Sequence, residues 1–204
     1  HNFKQTYFLK ERQYFESLEK AQNPKTLVVA CCDSRVDPAI LLHCKPGDLF
    51  VIRNVAALVP AVTQASNPCS VMSAIEYGVK HLNVEHIDVM GHSHCGGIHG
   101  LMAPETIAGE TYIQDWVGIA SPALERLQAI TGDEDEKTRS RHCEEGAVLI
   151  SLDNLLSYPW IAERVKNGQL KLHALYYDLS EGNLYRFSPD SEDFELLFHT
   201  IENP

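Results

Sequence analysis

Short apolar runs alternate along the chain with longer segments that mix apolar and polar positions. The runs of strand length lie at residues 26–31, 48–53, 86–90 and 170–177. The first of them, TLVVAC, is continuously apolar, which is typical of a strand buried on both faces of a parallel sheet. This alternation predicts an α/β fold with a mostly parallel central β-sheet flanked by helices.

The mixed segments between these runs predict helices, at residues 3–20, 69–82, 111–130 and 144–167. The charged stretch at 132–141 predicts a solvated loop between the last two. After a turn at 181–183, residues 184–187 predict an antiparallel hairpin strand. The sheet is therefore expected to end in a C-terminal antiparallel edge strand.

The length of 204 residues predicts a single domain with one hydrophobic core. We expect an N-terminal helical arm at 1–23, an α/β core at 24–190 and a C-terminal tail at 191–204. The arm is rich in aromatic residues, namely Phe3, Tyr7, Phe8, Tyr14 and Phe15. Because so apolar a segment needs a surface to cover, the arm predicts packing on a second copy, in a homodimer or a larger homo-oligomer.

The charge balance excludes some partners, since 28 acidic residues against 17 basic ones give a formal charge of −11. Broad attraction to nucleic acid or to anionic lipid is disfavoured. No apolar run approaches the roughly 20 residues that span a bilayer. We therefore expect neither a nucleic-acid partner nor a membrane partner.

Cysteine usage bears on the compartment. The six cysteines do not resemble a secreted disulfide framework, because Cys31 and Cys32 are adjacent and Cys95 lies among histidine and glycine. Reduced thiols and the absence of a signal-peptide pattern predict a cytoplasmic protein, or an organellar one if a targeting segment was removed.

Polar residues follow two of the predicted strands. The first strand runs into Cys31-x-Asp33-Ser34-Arg35, and the third into a glycine-rich turn that contains His92-x-x-Cys95. Thiolates and imidazoles are the ligands that zinc prefers, and a catalytic zinc has three protein ligands and an open fourth position. Parallel strands bring their carboxyl ends to one edge of the sheet. The pattern predicts a zinc site; the plainer interpretation of Cys31 and Cys32 is a pair of buried core thiols.

The chain resembles the β-class carbonic anhydrases over about residues 5–187. The blocks that carry the resemblance occur in the family's order: CCDSRVDP, PGDLFVIRNVA, AIEYGVKHLNVEHIDVMGHSHCGGIHGLM and SLDNLLSYP. The resemblance implies a Zn²⁺ cofactor on Cys31, His92 and Cys95, with Asp33 and Arg35 as a catalytic dyad beside it. It also implies the reversible hydration of carbon dioxide to bicarbonate and a proton, by attack of zinc-bound hydroxide.

Further positions are similar to the plant-like, open-site subgroup of that family. Val28 stands where the bicarbonate-regulated subgroup has tryptophan. In the plant-like subgroup, substrate-facing positions correspond to Gln22, Phe50, Val55, Tyr77 and Gly96. The aromatic residues among them come from the neighbouring subunit in that subgroup. Without the resemblance, Gln22 is a polar residue at a helix end, and Phe50 and Tyr77 are core or interface residues.

Two other functions remain open from the sequence. One is hydrolysis of carbonyl sulfide or carbon disulfide on the same zinc fold. The other is a non-catalytic zinc-binding module in which Asp33 or Cys32 closes the fourth position, although Arg35 competes for the Asp33 carboxylate. His94 is a candidate proton shuttle or else a plain turn histidine, and His99 is a weaker candidate.

Overall fold

In the computed structural model, which describes residues 2–65, 68–129 and 135–197, a six-stranded sheet forms the centre of the molecule. Its strands are β1 (Thr26–Cys31), β2 (Leu49–Asn54), β3 (His86–His92), β4 (Lys171–Asp178), β5 (Asn183–Ser188) and β6 (Asp193–Leu196). Their order across the sheet is β2-β1-β3-β4-β5-β6. The first four are parallel, and β5 and β6 are antiparallel. The predicted fold class is therefore confirmed.

Helices cover the sheet. They are α1 (Arg12–Lys20), α2 (Pro38–Leu41), α3 (Ser70–Lys80), α4 (Gly96–Met102), α5 (Thr111–Val117), α6 (Ser121–Ala129), α7 (Glu136–Leu156) and α8 (Pro159–Lys166). Short 3₁₀ turns lie at Val55–Ala57, Pro104–Ile107 and Gly118–Ala120, and a π-helical turn lies at Lys4–Phe8. None of the helices in the described part of the chain combines the length and the apolar character that a membrane-spanning segment requires.

Both faces of the parallel strands are buried, which explains the continuous apolar run of β1. Leu27 and Val29 belong to the main core, together with residues of α3, α7 and α8. Val28 and Ala30 point to the opposite face and belong to a smaller cluster, against which Leu41 of α2 packs. Since neighbouring positions on a strand face opposite sides, a strand covered on both sides needs apolar residues at every position.

Several helix limits differ from those predicted. The loop predicted at 132–141 is wrong over 136–141, because α7 begins at Glu136, and residues 132–134 lie outside the described part. Asp135 caps this helix by accepting a hydrogen bond from Thr138 N–H at 2.8 Å. The charged residues that follow are good helix formers that remain in water, so charge alone does not indicate a loop.

The helix predicted at 69–82 is confirmed as α3, whereas the other three predicted helices are interrupted. The π-helical turn ends before α1 begins, the 3₁₀ turn at Gly118–Ala120 separates α5 from α6, and Pro159 begins α8 after α7 has ended. At the C-terminal edge, the antiparallel strand predicted at 184–187 is confirmed as β5. The edge strand of the sheet is instead β6, which lies within the predicted tail and pairs with β5. Phe194 is buried in this otherwise polar strand.

Candidate metal centre and active site

The ends of β1 and β3 meet at one edge of the sheet because the two strands pair in parallel, with Ala30 opposite Met90. Cys31 is the last residue of β1, His92 is the last residue of β3, and Cys95 immediately precedes α4. All three side chains are buried. Their Sγ and ring nitrogen atoms lie within 4.8 Å of one another, which is close enough for one metal ion to bind them all.

The donor set fits a zinc ion. His92 Nδ1 lies 2.9 Å from the carbonyl oxygen of Ser93, so the Nδ1–H tautomer donates there and leaves the Nε2 lone pair free. His92 Nε2 is buried and has no hydrogen-bond partner among the described residues. A buried imidazole nitrogen without a hydrogen-bond partner lies here beside two thiols. These are the ligands that Zn²⁺ prefers in tetrahedral coordination.

The charges of the three groups depend on each other. The pKa of Cys31 is lowered, chiefly because the Cys95 thiol donates a hydrogen bond to its thiolate. The same contact raises the pKa of Cys95. Burial alone would lower the pKa of His92, but the Cys31 thiolate raises it above its ordinary value. A divalent cation would compete with these protons, so we expect metal binding to release protons.

A cation-paired carboxylate borders this group. Arg35 Nε donates to Asp33 Oδ1 at 2.9 Å, and Arg35 Nη2 donates to Asp33 Oδ2 at 2.7 Å. The Arg35 backbone N–H also donates to Oδ1. These hydrogen bonds hold the pKa of Asp33 well below its usual range. Asp33 Oδ2 lies 3.9 Å from His92 Nε2, so the ionised carboxylate faces the metal-binding atoms.

Arg53 is a residue of the site that sequence reasoning missed. Its Nε donates to the carbonyl of Cys31 at 2.9 Å, and its Nη2 donates to the carbonyls of Asp33 and Val36 at 2.7 and 2.6 Å. The side chain thus ties β2 to the loop that carries Asp33 and Arg35. The only signal in the sequence is an arginine at the end of the apolar run LFVIRN.

The 3₁₀ turn at Val55–Ala57 forms another border of the site, since Val55 packs against the cluster that contains Cys31 and Cys95. Ala56 and Ala57 have φ angles of 62° and 55°, a left-handed conformation that costs non-glycine residues about 1–3 kcal/mol each. Gly97 permits this close approach, because a Cβ there would lie 2.7 Å from Val55 Cγ1.

The predicted substrate residues fall into two groups. Val55 and Gly96 lie beside the metal-binding atoms, and a Cβ at Gly96 would meet no atom within 4 Å, so there is open space next to it. Phe50 and Tyr77 contact each other, with ring centroids 6.0 Å apart, but Phe50 pairs with Leu27, about 13 Å before the end of β1. Gln22 is exposed after α1. Within one chain, these last three residues do not join the group.

The two further histidines lie at the surface of the site. His94 and His99 are exposed and both line a cavity of about 310 Å³, which Cys95 and Gly96 also border. His94 has a left-handed φ of 57°, and its carbonyl accepts a hydrogen bond from Arg35 Nη2 at 3.1 Å. The turn that carries His94 is therefore fixed by the same guanidinium that holds Asp33.

Fold and site together define an α/β protein in which a buried Cys-His-Cys group that could hold a metal ion lies beside a cation-paired aspartate, at the carboxyl edge of a parallel sheet. Comparison with known proteins names the family. The sequence profile described as carbonic anhydrase matches residues 26–184. The chain belongs to this family, and its relatives place it in the β class.

Two of these relatives are from Arabidopsis thaliana. The chain is 39% identical to the chloroplastic β carbonic anhydrase 5 over 92% of its own length and 62% of that protein's. It is 41% identical to β carbonic anhydrase 3, over 89% of its own length and 71% of that protein's. The chain therefore spans less than two thirds of the chloroplastic relative.

Solved structures agree in fold. The β-carbonic anhydrase CcaA superposes with a TM-score of 0.91 at 31% identity, covering 96% of this chain and 94% of that one. A tetrameric β-carbonic anhydrase from Sordaria macrospora gives a TM-score of 0.75 at 31% identity, with 89% of each chain covered.

Proposed function

We propose that this chain binds Zn²⁺ through Cys31, His92 and Cys95 and catalyses the reversible hydration of carbon dioxide to bicarbonate and a proton. One observation carries the proposal. The three metal-binding atoms lie within 4.8 Å of one another, beside the Asp33 carboxylate, which forms an ion pair with Arg35. When bound, the zinc supplies Lewis acidity that makes water a nucleophile near neutral pH.

Asp33 and Arg35 prepare the attacking water in this proposal. The bidentate contact with Arg35 keeps Asp33 ionised and holds both of its oxygens in place. The ionised Asp33 accepts a hydrogen bond from the water, which turns a lone pair of that water toward the carbon dioxide. Arg53 keeps the loop in position through the backbone, since it holds the carbonyls of Cys31 and Asp33.

The proposed substrate site is small and mostly apolar, which suits a small nonpolar molecule. Val55 supplies an apolar wall, and the open space at Gly96 lets a substrate oxygen approach the backbone N–H. We further propose that Gln22, Phe50 and Tyr77 complete this site across a subunit boundary, since no contact described within one chain joins them to Cys31, His92 or Cys95.

A closed, non-catalytic zinc module is disfavoured by the same contacts. Within the described part of the chain, the metal-binding group contains neither Asp33 nor Cys32. Cys32 is exposed, unlike the buried Cys31 and Cys95. Asp33 lies closer, with Oδ2 3.9 Å from His92 Nε2, but three hydrogen bonds from Arg35 oppose its movement onto the metal. The fourth position is thus proposed to remain open for water.

The test combines zinc stoichiometry with stopped-flow carbon dioxide hydration. We expect about one zinc per chain, and we expect Cys31→Ser, His92→Ala and Cys95→Ser each to lose zinc and to lower hydration by at least about 1,000-fold, because two ligands do not hold the ion in an open tetrahedral site. Cys44→Ser is the matched control, since this half-buried thiol lies outside the metal-binding group.

Loss of zinc without loss of hydration would contradict the proposed role of the metal, as would a ligand variant with wild-type zinc and turnover. Carbonyl sulfide and carbon disulfide are assayed in parallel. Turnover of either sulfur compound with no hydration of carbon dioxide would assign the chain to the alternative hydrolase activity.

We also propose a homo-oligomer, at least a dimer. Apolar side chains of the N-terminal arm are exposed in one chain, with Phe3 59% and Tyr7 41% accessible. The Sordaria macrospora relatives are described as tetrameric. Sedimentation at micromolar concentration is expected to give a dimer or larger species, and an active monomer would overturn this part of the proposal.

The compartment stays a prediction. Relatives from Arabidopsis thaliana carry the names chloroplastic and mitochondrial, so the organellar alternative gains support relative to the cytoplasmic one.

A further inference from the structure

A buried carboxylate contacts the metal-binding turn from behind. Glu144, on α7, is only 5% exposed, and its Oε1 accepts a hydrogen bond from the backbone N–H of Cys95 at 3.1 Å. Cys95 stands at the N-cap of α4. No hydrogen bond from the Cys95 side chain caps that helix, so this contact from 49 residues away fixes the backbone of the residue that carries a metal-binding thiol.

The second oxygen of Glu144 is also fixed. Its Oε2 accepts a hydrogen bond from the hydroxyl of Tyr176 at 2.7 Å, and Tyr176 is 1% exposed. Tyr176 lies on β4 directly opposite Gly91 of β3, the residue before His92. Tyr176 therefore anchors the carboxylate to the strand that delivers His92, while the carboxylate holds the turn that delivers Cys95.

Gly91 explains how α7 comes close enough. A Cβ at Gly91 would lie 2.5 Å from Cγ2 of Val148, one helical turn after Glu144 on α7. With no side chain at Gly91, the helix lies directly on β3 and Glu144 reaches the turn. Any larger residue would move α7 outward and lengthen the contact with Cys95.

The environment of Glu144 is unusual for a buried acid. Among the described residues, no lysine or arginine forms an ion pair with it, whereas its neighbour Glu145 accepts from Arg141 Nε at 2.8 Å. Burying a carboxylate without a cation costs stability unless hydrogen bonds satisfy it. An apolar residue would fill the same space at lower cost, so the carboxylate at this position serves the group to which it is bonded.

We propose that Glu144, held by Tyr176, is a positioning residue that sets the backbone of Cys95 for metal binding. The proposal rests on the metal site of the proposed function and deepens it. Glu144 does not touch the metal-binding atoms and acts only through the Cys95 amide. Partners in this outer position typically change metal affinity by about 10–100-fold when they are removed.

The test compares Glu144→Leu with Glu145→Leu. Each variant removes one buried carboxylate of α7, and only Glu144 contacts Cys95. The affinity for Zn²⁺ is measured by competition with a chromophoric chelator, and the amide resonance of Cys95 is followed by NMR in the metal-free protein. For Glu144→Leu we expect about 10–100-fold weaker Zn²⁺ binding and an upfield shift of the Cys95 amide proton.

Glu145→Leu is expected to lower stability but to leave both readouts at wild-type values. Glu144→Gln keeps an acceptor oxygen for Cys95 and is expected to recover most of the lost affinity. Glu144→Leu with wild-type affinity and an unmoved Cys95 resonance would overturn the proposal, and so would an equal loss in Glu145→Leu.

If Glu144→Leu does not fold, Tyr176→Phe tests the proposal instead. This milder variant removes only the hydroxyl that donates to Glu144 and keeps the buried ring. We expect the Cys95 resonance to move in the same direction by a smaller amount, and an unmoved resonance would overturn the proposal. Neither readout uses carbon dioxide. A protein that shows these effects without hydrating carbon dioxide would therefore overturn the proposed function and leave this inference standing.

Discussion

Two aspartates of neighbouring strands have opposite surroundings. Asp33, in the loop after β1, accepts hydrogen bonds from the backbone and the side chain of Arg35, and its pKa lies well below the usual range. Asp88, in the middle of β3, has no hydrogen bond or ion pair to its side chain among the described residues. Burial raises the pKa of Asp88 to about 7.

The position relative to the strand end accounts for the difference. Backbone N–H groups in the middle of β3 are used in pairing with β1 and β4, where Asp88 lies opposite Val28 and His173. After the end of β1 the chain leaves the sheet, so its N–H groups and an arginine are free to turn toward Asp33. Strand ends can therefore support an ionised carboxylate, whereas the interior of the sheet imposes a cost on it.

Removing the cation from Asp33 is expected to have the larger effect. In Arg35→Ala the Asp33 carboxylate loses its bidentate partner and is free to move toward the metal-binding atoms. Its Oδ2 already lies 3.9 Å from His92 Nε2. We expect carbon dioxide hydration to fall by about 100-fold or more while zinc content stays near that of the wild type. Stopped-flow kinetics and metal analysis measure the two quantities on the same sample.

Arg126→Ala is the matched control, because Arg126 is exposed and its ion pair with Asp153 spans 3.9 Å at the surface. This variant should keep both activity and zinc. Wild-type turnover in Arg35→Ala would show that Asp33 functions without its cation, and the contrast with Asp88 would then carry no functional meaning.

Much of this arrangement can be predicted from the sequence. A continuous apolar run identifies β1, and a short, mostly apolar run before a glycine-rich turn identifies β3. Parallel strands bring their ends together, so the closeness of Cys31, His92 and Cys95 follows from local patterns. The strand β6 does not follow in this way. Its buried Phe194 lies between Asp193 and Glu195, and its pairing with β5 depends on tertiary contacts.

The outer contacts of the site could not be predicted either. Glu144 reaches Cys95 from a helix 49 residues away, and Arg53 reaches Asp33 from the neighbouring strand. Both contacts depend on strand order and on the approach of α7 at Gly91, which no local periodicity encodes. The roles of Gln22, Phe50 and Tyr77 remain predictions for the assembled protein.

The smaller expected effect concerns stability and is tested at Asp88. Below pH 3.8 its carboxyl is neutral in both the folded and the unfolded chain. Between pH 3.8 and about 7 the unfolded chain ionises while the folded chain keeps its proton, so stability falls as the pH rises, and the loss is complete above pH 7. Ionisation then costs the folded state up to about 4 kcal/mol.

Asp88→Asn removes this cost, so relative to wild type the variant should gain stability from pH 4 to pH 8. Urea unfolding at the two pH values measures the gain. Asp153→Asn, at an exposed position, should show no such change. An equal difference at both pH values would mean that Asp88 has the same pKa in the folded and the unfolded chain, so that the interior of this sheet imposes no cost on its carboxylate.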